Sequence, residues 1–284
     1  MIQNVFMEEM EGFMIERVIR DEEYSMQYRH FHDGYEMYFL MEGERYYFID
    51  KETYRVEKGM VVLVKRNQIH KTSMAQSSYH DRILVHLRGE VFDSFLKANG
   101  LFSLEELFSG NYGVLGISPD DWKIIEQQLL QIRQELRQKR GNYQMMVKMK
   151  MAEILLSLYR YRKTAKFTQE NQKVLTAKHQ KVHEIADYLL NHCETNENLE
   201  ELAARFYISK SYISRIFKEV TGFTINEYQN ASRVQQAKHL LLHSEYSVTE
   251  ISERLGFESI TYFERVFKKY VDVTPLKYRK KGTF

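Results

Sequence analysis

From Phe13 to about Leu87, apolar residues recur at every second position in short runs rich in β-formers, as in Tyr35–Leu40, Arg45–Ile49, Met60–Val64 and Arg82–Leu87. Polar clusters separate the runs: Glu42-Gly43-Glu44, Asp50-Lys51-Glu52 and Glu57-Lys58-Gly59. Short strands at this spacing predict an antiparallel barrel or sandwich ending near residue 90. After two loosely helical stretches in 91–109, the segment Ser118-Pro119-Asp120-Asp121 marks a helix start. It offers a capping hydroxyl, a proline where no N–H is required, and carboxylates on the positive helix end. Trp122, Ile125, Leu129, Ile132 and Leu136 follow at helical spacing and form a seam that a partner helix fills. A second helix from about Tyr143 to Tyr161 carries Val147, Met151, Ile154, Leu155 and Leu158. The two helices are expected to cover the barrel, to join two copies of the chain through the Trp122–Leu136 seam, or to do both.

Residues 164–179 are mostly polar and lack a sustained apolar face, which marks a linker between a domain spanning 1–163 and one spanning 180–284. From Lys181 onward the pattern is helical throughout. Within it lies an internal repeat: Leu199-Glu-Glu-Leu202-Ala-Ala-Arg205 lines up with Val248-Thr-Glu-Ile251-Ser-Glu-Arg254. Tyr212-Ile-Ser-Arg215-Ile216-Phe217-Lys218 then answers Tyr262-Phe-Glu-Arg265-Val266-Phe267-Lys268, and Thr224 and Tyr228 answer Thr274 and Tyr278. Each copy reads as two short amphipathic helices joined by a tight turn, the layout of a helix-turn-helix unit.

In the first copy Ser209 caps the second helix, and Ile213, Ile216, Phe217 and Val220 turn inward. Lys210, Ser211, Ser214, Arg215 and Lys218 then face outward as a donor-rich stripe suited to phosphates and base edges. In the second copy Phe263, Val266, Phe267 and Tyr270 are the inward set, leaving Ile260, Thr261, Glu264, Arg265 and Lys268 outside. One such stripe is what any solvated helix face shows. The same stripe twice, each with Arg two residues before Phe, points to a reader of two successive DNA grooves.

Bulk properties narrow the picture. At 284 residues there is room for two separately cored domains. The net charge is +2, and from residue 181 onward 15 Lys/Arg stand against 14 Asp/Glu, so overall charge does not mark a nucleic-acid binder. The local bias is Arg265, Lys268, Lys269, Lys277, Arg279, Lys280 and Lys281, opposed by Asp272 alone. One cysteine, Cys193, excludes an intrachain disulfide and reads as a small packed residue. No basic start with an apolar core resembles a signal peptide, and no run is long and apolar enough for a membrane span. The expected setting is the cytoplasm, with no membrane partner.

The segment Val248-Thr-Glu-Ile-Ser-Glu-Arg-Leu-Gly-Phe-Glu-Ser-Ile-Thr-Tyr-Phe-Glu-Arg-Val-Phe-Lys-Lys-Tyr, with Thr274-Pro275 and Tyr278-Arg279, resembles the AraC/XylS-type bacterial transcription regulators. The resemblance implies a seven-helix module in which a long helix, here about Ile225–Leu242, holds two helix-turn-helix units on one face of double-stranded DNA. Successive major-groove entries lie about 34 Å apart, a spacing that a rigid helix can fix. The base-contacting surface implied falls on Ser211, Ser214 and Arg215, and on Ile260, Thr261, Glu264 and Arg265. Ile260 offers only an apolar contact, and Glu264 accepts from cytosine N4 but repels phosphate.

His30-Phe-His32-Asp-Gly-Tyr-Glu36, with Gly43 and later His70, resembles the two motifs of cupin barrels. This implies a small ligand-binding barrel ahead of the DNA module, as in sugar-responsive members of the AraC type. If Glu36 points inward, alternation brings Tyr38 and Leu40 with it, faced by Tyr46 and Phe48 from the next strand; His86 joins by strand parity. Such an aromatic-lined pocket with a few polar groups suits a sugar or similar small effector. The alternative is a divalent metal on His30, His32, Glu36 and His70, and with it a metal-dependent cupin enzyme. That alternative leaves the double repeat unexplained. The expected protein is thus an α+β two-domain regulator, a cupin-like β-barrel with a helical dimerisation hairpin followed by an all-α double helix-turn-helix domain. It would be a homodimer with no catalytic residues and no cofactor, meeting RNA polymerase if it activates transcription.

Overall fold

In the computed structural model of the chain, residues 2–22, 34–109, 113–164 and 176–281 are described. Among them the N-terminal part forms strands β1 (Ile2–Met10), β2 (Phe13–Asp21), β3 (Tyr35–Ile49), β4 (Glu52–Glu57), β5 (Met60–Val64), β6 (His70–Met74), β7 (Tyr79–Leu87) and β8 (Gly113–Gly116). All pairings are antiparallel, and the main sheet runs β1-β2-β7-β3-β5-β8. β4 and β6 flank the second half of β3 in a second sheet. The main sheet is an open path with β1 and β8 at its ends, so the expected closed barrel is corrected to two sheets sharing one long strand.

The reason lies in β3. Glu42-Gly43-Glu44, read above as a turn, sits inside a continuous strand with one extra residue between the Leu40–Arg82 and Glu42–Asp81 pairs. Gly43 has φ +90°, and a Cβ there would stand 2.4 Å from the Tyr79 carbonyl oxygen. A bulge of this kind bends and twists a strand, and here it sends the second half of β3 into the other sheet. It also inverts the alternation. Tyr38 and Leu40 share a core with Tyr47 and Ile49, so the inward residues after the bulge are odd-numbered. The pairing of Tyr46 and Phe48 with them is thereby corrected.

Helices α1 (Gly89–Ala98), α2 (Leu104–Ser109), α3 (Pro119–Gln138) and α4 (Tyr143–Thr164) cover the outer face of the main sheet. α3 starts as its sequence dictates, with Ser118 accepting from the Asp121 N–H and proline in the first turn. Trp122, Ile125, Leu129, Ile132 and Leu136 are all buried against the sheet and α4, together with Phe39, Val147 and Leu155. Of the two uses expected of the seam, it covers the main sheet's outer face within the chain.

The C-terminal part contains α5 (Ala177–Asn191), α6 (Leu199–Arg205), α7 (Lys210–Thr221), α8 (Ile225–His243), α9 (Val248–Arg254), α10 (Ile260–Val271) and α11 (Pro275–Lys281). Between α4 and α5, most of the span named as a linker lies outside the described residues. The repeat is written in caps: Asn198 with Glu201, Thr224 with Glu227 and Ser247 with Glu250 each form a capping box. α8 serves two cores, lending Ile225, Tyr228 and Ala231 to the first unit and Val234, Ala237 and Leu241 to the second. The buried Arg233 guanidinium donates to the Cys193 and Thr195 carbonyls and to Asn196 Oδ1, tying α8 to the loop before α6. No described helix is long and apolar enough to cross a membrane.

The second unit turns between its helices at Gly256, with φ +69° and a would-be Cβ 2.0 Å from the Glu194 carbonyl oxygen. Gly59 has φ +82° and nothing within 4 Å. Gly59→Ala is expected to cost about 1 kcal/mol of backbone strain, and Gly256→Ala at least about 2 kcal/mol more from the added clash. Equal losses in urea denaturation would show that the approach to Glu194 is not tight.

Candidate functional site

Two groups of side chains stand out, one on the surface and one inside. On the surface, Ser209 accepts from the Tyr212 N–H to start α7, and Ser259 accepts from the Tyr262 N–H to start α10. Ile213, Ile216 and Phe217 anchor α7 inward, as Phe263, Val266 and Phe267 anchor α10. The outward residues are then all exposed: Lys210, Ser211, Ser214, Arg215 and Lys218 on α7, and Ile260, Thr261, Glu264, Arg265 and Lys268 on α10. Arg215 stands 5.4 Å above the Tyr212 ring and Arg265 5.2 Å above the Tyr262 ring. A cation held over an aromatic face keeps its position while its N–H groups remain available. Lys210 pairs with Glu200 of α6, which engages its charge within the unit. Arg279, counted above in the basic run, donates to the Leu241 and Tyr246 carbonyls and so fastens α11 to the end of α8.

Inside the sandwich, Glu36, Tyr38, His70 and His86 lie together. Glu36 accepts from the Tyr47 hydroxyl at 2.8 Å, and its other oxygen lies 3.6 Å from His70 Nε2 and 3.7 Å from His86 Nε2. His70 Nδ1 is 2.8 Å from the Gln68 carbonyl oxygen, which can only accept, so Nδ1 carries a proton and Nε2 faces the carboxylate. Burial pushes the His70 imidazole toward neutrality, but the Glu36 carboxylate outweighs it and holds the pKa above its ordinary value. The same burial, with Glu36 beside it, raises the Tyr47 phenol well above its usual range. Burial and then Arg45 push His80 down to about 4.

Tyr47, Arg45 and Arg82 are members of this layer that sequence reasoning missed. Parity counted through the bulge would have found Tyr47; the fully buried Arg45 gives no sequence signal of its depth. Among the described residues neither the Tyr38 hydroxyl nor Arg82 Nη1, both buried, has a hydrogen-bond partner. Tyr46 is displaced from the group, its ring lying 5.4 Å from His179 of α5. His30 and His32 lie outside the described residues. A cavity of about 1310 Å³ opens beside His86, bounded by Arg66, Arg88 and Lys139 on the sandwich side and by Asp272 after α10.

Residues 14–155 match the family described as AraC-like ligand binding domain, and residues 202–281 match that described as helix-turn-helix domain. Relatives include the HTH-type transcriptional activator RhaS of Escherichia coli O81 (strain ED1a), 25% identical over 88% of this chain and 87% of its own. The regulatory protein PocR of Salmonella typhimurium is 37% identical, over 33% of this chain and 31% of its own length. Among solved structures, apo ToxT K231A from Vibrio cholerae strain SCE256 has a TM-score of 0.40 at 16% identity, covering 95% of this chain and 97% of that one. The DNA-binding domain of AdpA in complex with a target DNA has a TM-score of 0.34 at 34% identity, over 34% and 88%. The relatives and both domains are those of a regulator and not of an enzyme, and the chain belongs to the AraC family of transcriptional regulators.

Proposed function

We propose that the chain activates transcription in response to a small polyhydroxylated effector, of which a sugar is the leading class, bound between the two sheets. The observation that supports this reading is the inter-sheet layer itself. A carboxylate, two imidazoles, two phenols and two guanidinium groups meet in one layer, with Glu36, His70, Tyr38, Tyr47 and Arg45 buried and His86 and Arg82 half-buried beside them. Burying such groups costs several kcal/mol unless each is satisfied. The Tyr38 hydroxyl and Arg82 Nη1 offer a ligand hydroxyl two partners. Of the residues in this layer, His86 also lines the cavity.

The two exposed stripes read DNA: Ser211, Ser214, Arg215 and Lys218 in one major groove, and Ile260, Thr261, Glu264, Arg265 and Lys268 in the next. That a relative spanning most of the chain is named an activator supports activation, with RNA polymerase as the further partner. The homodimer forms through the exposed face of α3 and α4, where Ile124, Met145 and Met149 are each at least half exposed. It works in the cytoplasm, where the chromosome is.

Arg215→Ala and Arg265→Ala are each expected to weaken binding to a DNA selected from a random pool by at least about tenfold and to relax base preference locally. Gel-shift titrations unchanged for both variants would sink the assignment. Against a panel of monosaccharides, the full chain is expected to show a rise in Tm that Glu36→Gln abolishes. A rise of equal size in both proteins would remove Glu36 from the pocket; no rise with any sugar would remove that effector class.

A further inference from the structure

The sandwich and the first helix-turn-helix unit share a hydrophobic core. Phe48 of β3 and Ile69, just before β6, are buried among Phe217 of α7, Phe223, and Tyr228 of α8. The second unit's core, centred on Phe263 and Phe267, has no sandwich residue among its buried members. Polar contacts ring the shared core. The Tyr228 hydroxyl donates to the Asp50 carbonyl at 2.5 Å, Gln235 donates to the Asn67 carbonyl, and Lys238 to Asn67 Oδ1. Lys51 pairs with Asp187 of α5, and Lys71 donates to the Glu219 carbonyl near the end of α7.

The same short segments also reach the Glu36 layer. His70 faces Glu36 and is held by the Gln68 carbonyl; the Gln68 amide donates to Asp50 Oδ2 at 2.8 Å. Asp50 is clasped twice more, its N–H donating to the Ile69 carbonyl and its Oδ1 accepting from the Ile69 N–H. Asp50 and Asn67 both hold positive φ, 51° and 61°, which turns their carbonyls out of the sheet and toward α8. Non-glycine residues adopt that conformation at a cost of about 1 kcal/mol each, which the surrounding contacts must offset.

We infer that Glu36, His70, Gln68, Asp50 and Tyr228 form a relay that transmits the state of the inter-sheet layer to α8, the helix on which both DNA-reading units are mounted. It rests on the reading of the Glu36 layer as the effector site. A ligand group that displaces His70 from Glu36 moves the first residue of β6. Ile69, next to it, is buried in the shared core and is hydrogen-bonded to Asp50 on both its N–H and its carbonyl. A displacement of Ile69 is therefore passed to Asp50, whose carbonyl accepts from the Tyr228 hydroxyl. A rigid interior passes such displacements on in place of absorbing them.

The test is a double-mutant cycle on the full chain, read as Kd for one DNA duplex selected from a random pool with the unmodified protein. Glu36→Gln stands in for the effector, removing the charge that holds His70; Tyr228→Phe removes one hydroxyl and keeps the buried ring. Glu36→Gln is expected to change Kd at least about fivefold in the unmodified chain and less than about twofold in Tyr228→Phe. Equal fold-changes in the two backgrounds, or no change in either, overturn the relay. Amide exchange across 225–238 gives the same comparison without DNA: faster or slower exchange in Glu36→Gln that vanishes in the double variant is expected, and a change that persists overturns it. Coupling found in a chain that binds no sugar would keep the relay and discard the effector class, so the two readings fail separately.

Discussion

The bulge at 40–43 of β3 decides which side chains reach the pocket and which reach the DNA module. Both faces of this strand are buried, with Met37 and Phe39 on the helix-covered side and Glu36, Tyr38 and Leu40 on the other. One additional residue inverts that alternation. Tyr47 then meets Glu36, while Phe48 turns into the core of the first helix-turn-helix unit and Tyr46 lies against His179. Without the extra residue, a strand with side-chain period two would point Phe48 into the polar layer and Tyr47 at the helices. One local irregularity thus builds the Glu36 layer and the domain junction from the two faces of Arg45–Ile49.

The two DNA-reading units obey common rules and differ where their neighbours differ. Both start the recognition helix with a serine cap and set an arginine over the tyrosine three residues earlier. At the turn they part. The first uses Tyr207 at φ 55°, 95% exposed; the second uses Gly256, because the Glu194 backbone stands where a side chain would go. The first unit is free at that turn and packed against the sandwich at the far end of α7, whereas the second is packed at its turn against the loop after α5. Equivalent sequences therefore sit under unlike mechanical restraint.

The helical half was legible in the sequence nearly residue by residue, because caps and helical spacing are local signals that tertiary contacts did not override. Ser118 and Ser209, both read as caps, begin α3 and α7 with their side chains accepting from the Asp121 and Tyr212 N–H groups. The sheet half was legible in kind but not in closure. β4 and β6 carry mixed polar residues, and the alternation of β1 is diluted by Glu8 and Glu9. Gly43, the residue that permits the bend, reads like a turn residue from sequence alone. The seam of α3 was visible, but periodicity does not say whether a stripe faces its own sheet or another chain. The junction was invisible for a different reason: its acceptors include the backbone carbonyls of Asp50 and Asn67, which no residue type announces.

If the Glu36 layer is the effector site as proposed, its packing bears on how a ligand there would act at a distance. A ligand shifts a conformational equilibrium only through unequal affinity for its states, so a loose pocket that accepts its guest without rearrangement transmits little. Here Glu36 and His70 are each about 1% exposed and already face one another. A polar guest gains a hydrogen bond to that carboxylate only by replacing part of the internal pairing, and His70 cannot leave Glu36 without disturbing Ile69, its neighbour in the other core. In the proposed relay, differential affinity would arise because a state with His70 against Glu36 and one with a ligand in its place would differ at Ile69, which sits in the shared core. A buried charge pair that would be a liability in a purely structural sandwich is, under the proposed relay, the element whose rearrangement a ligand would bias.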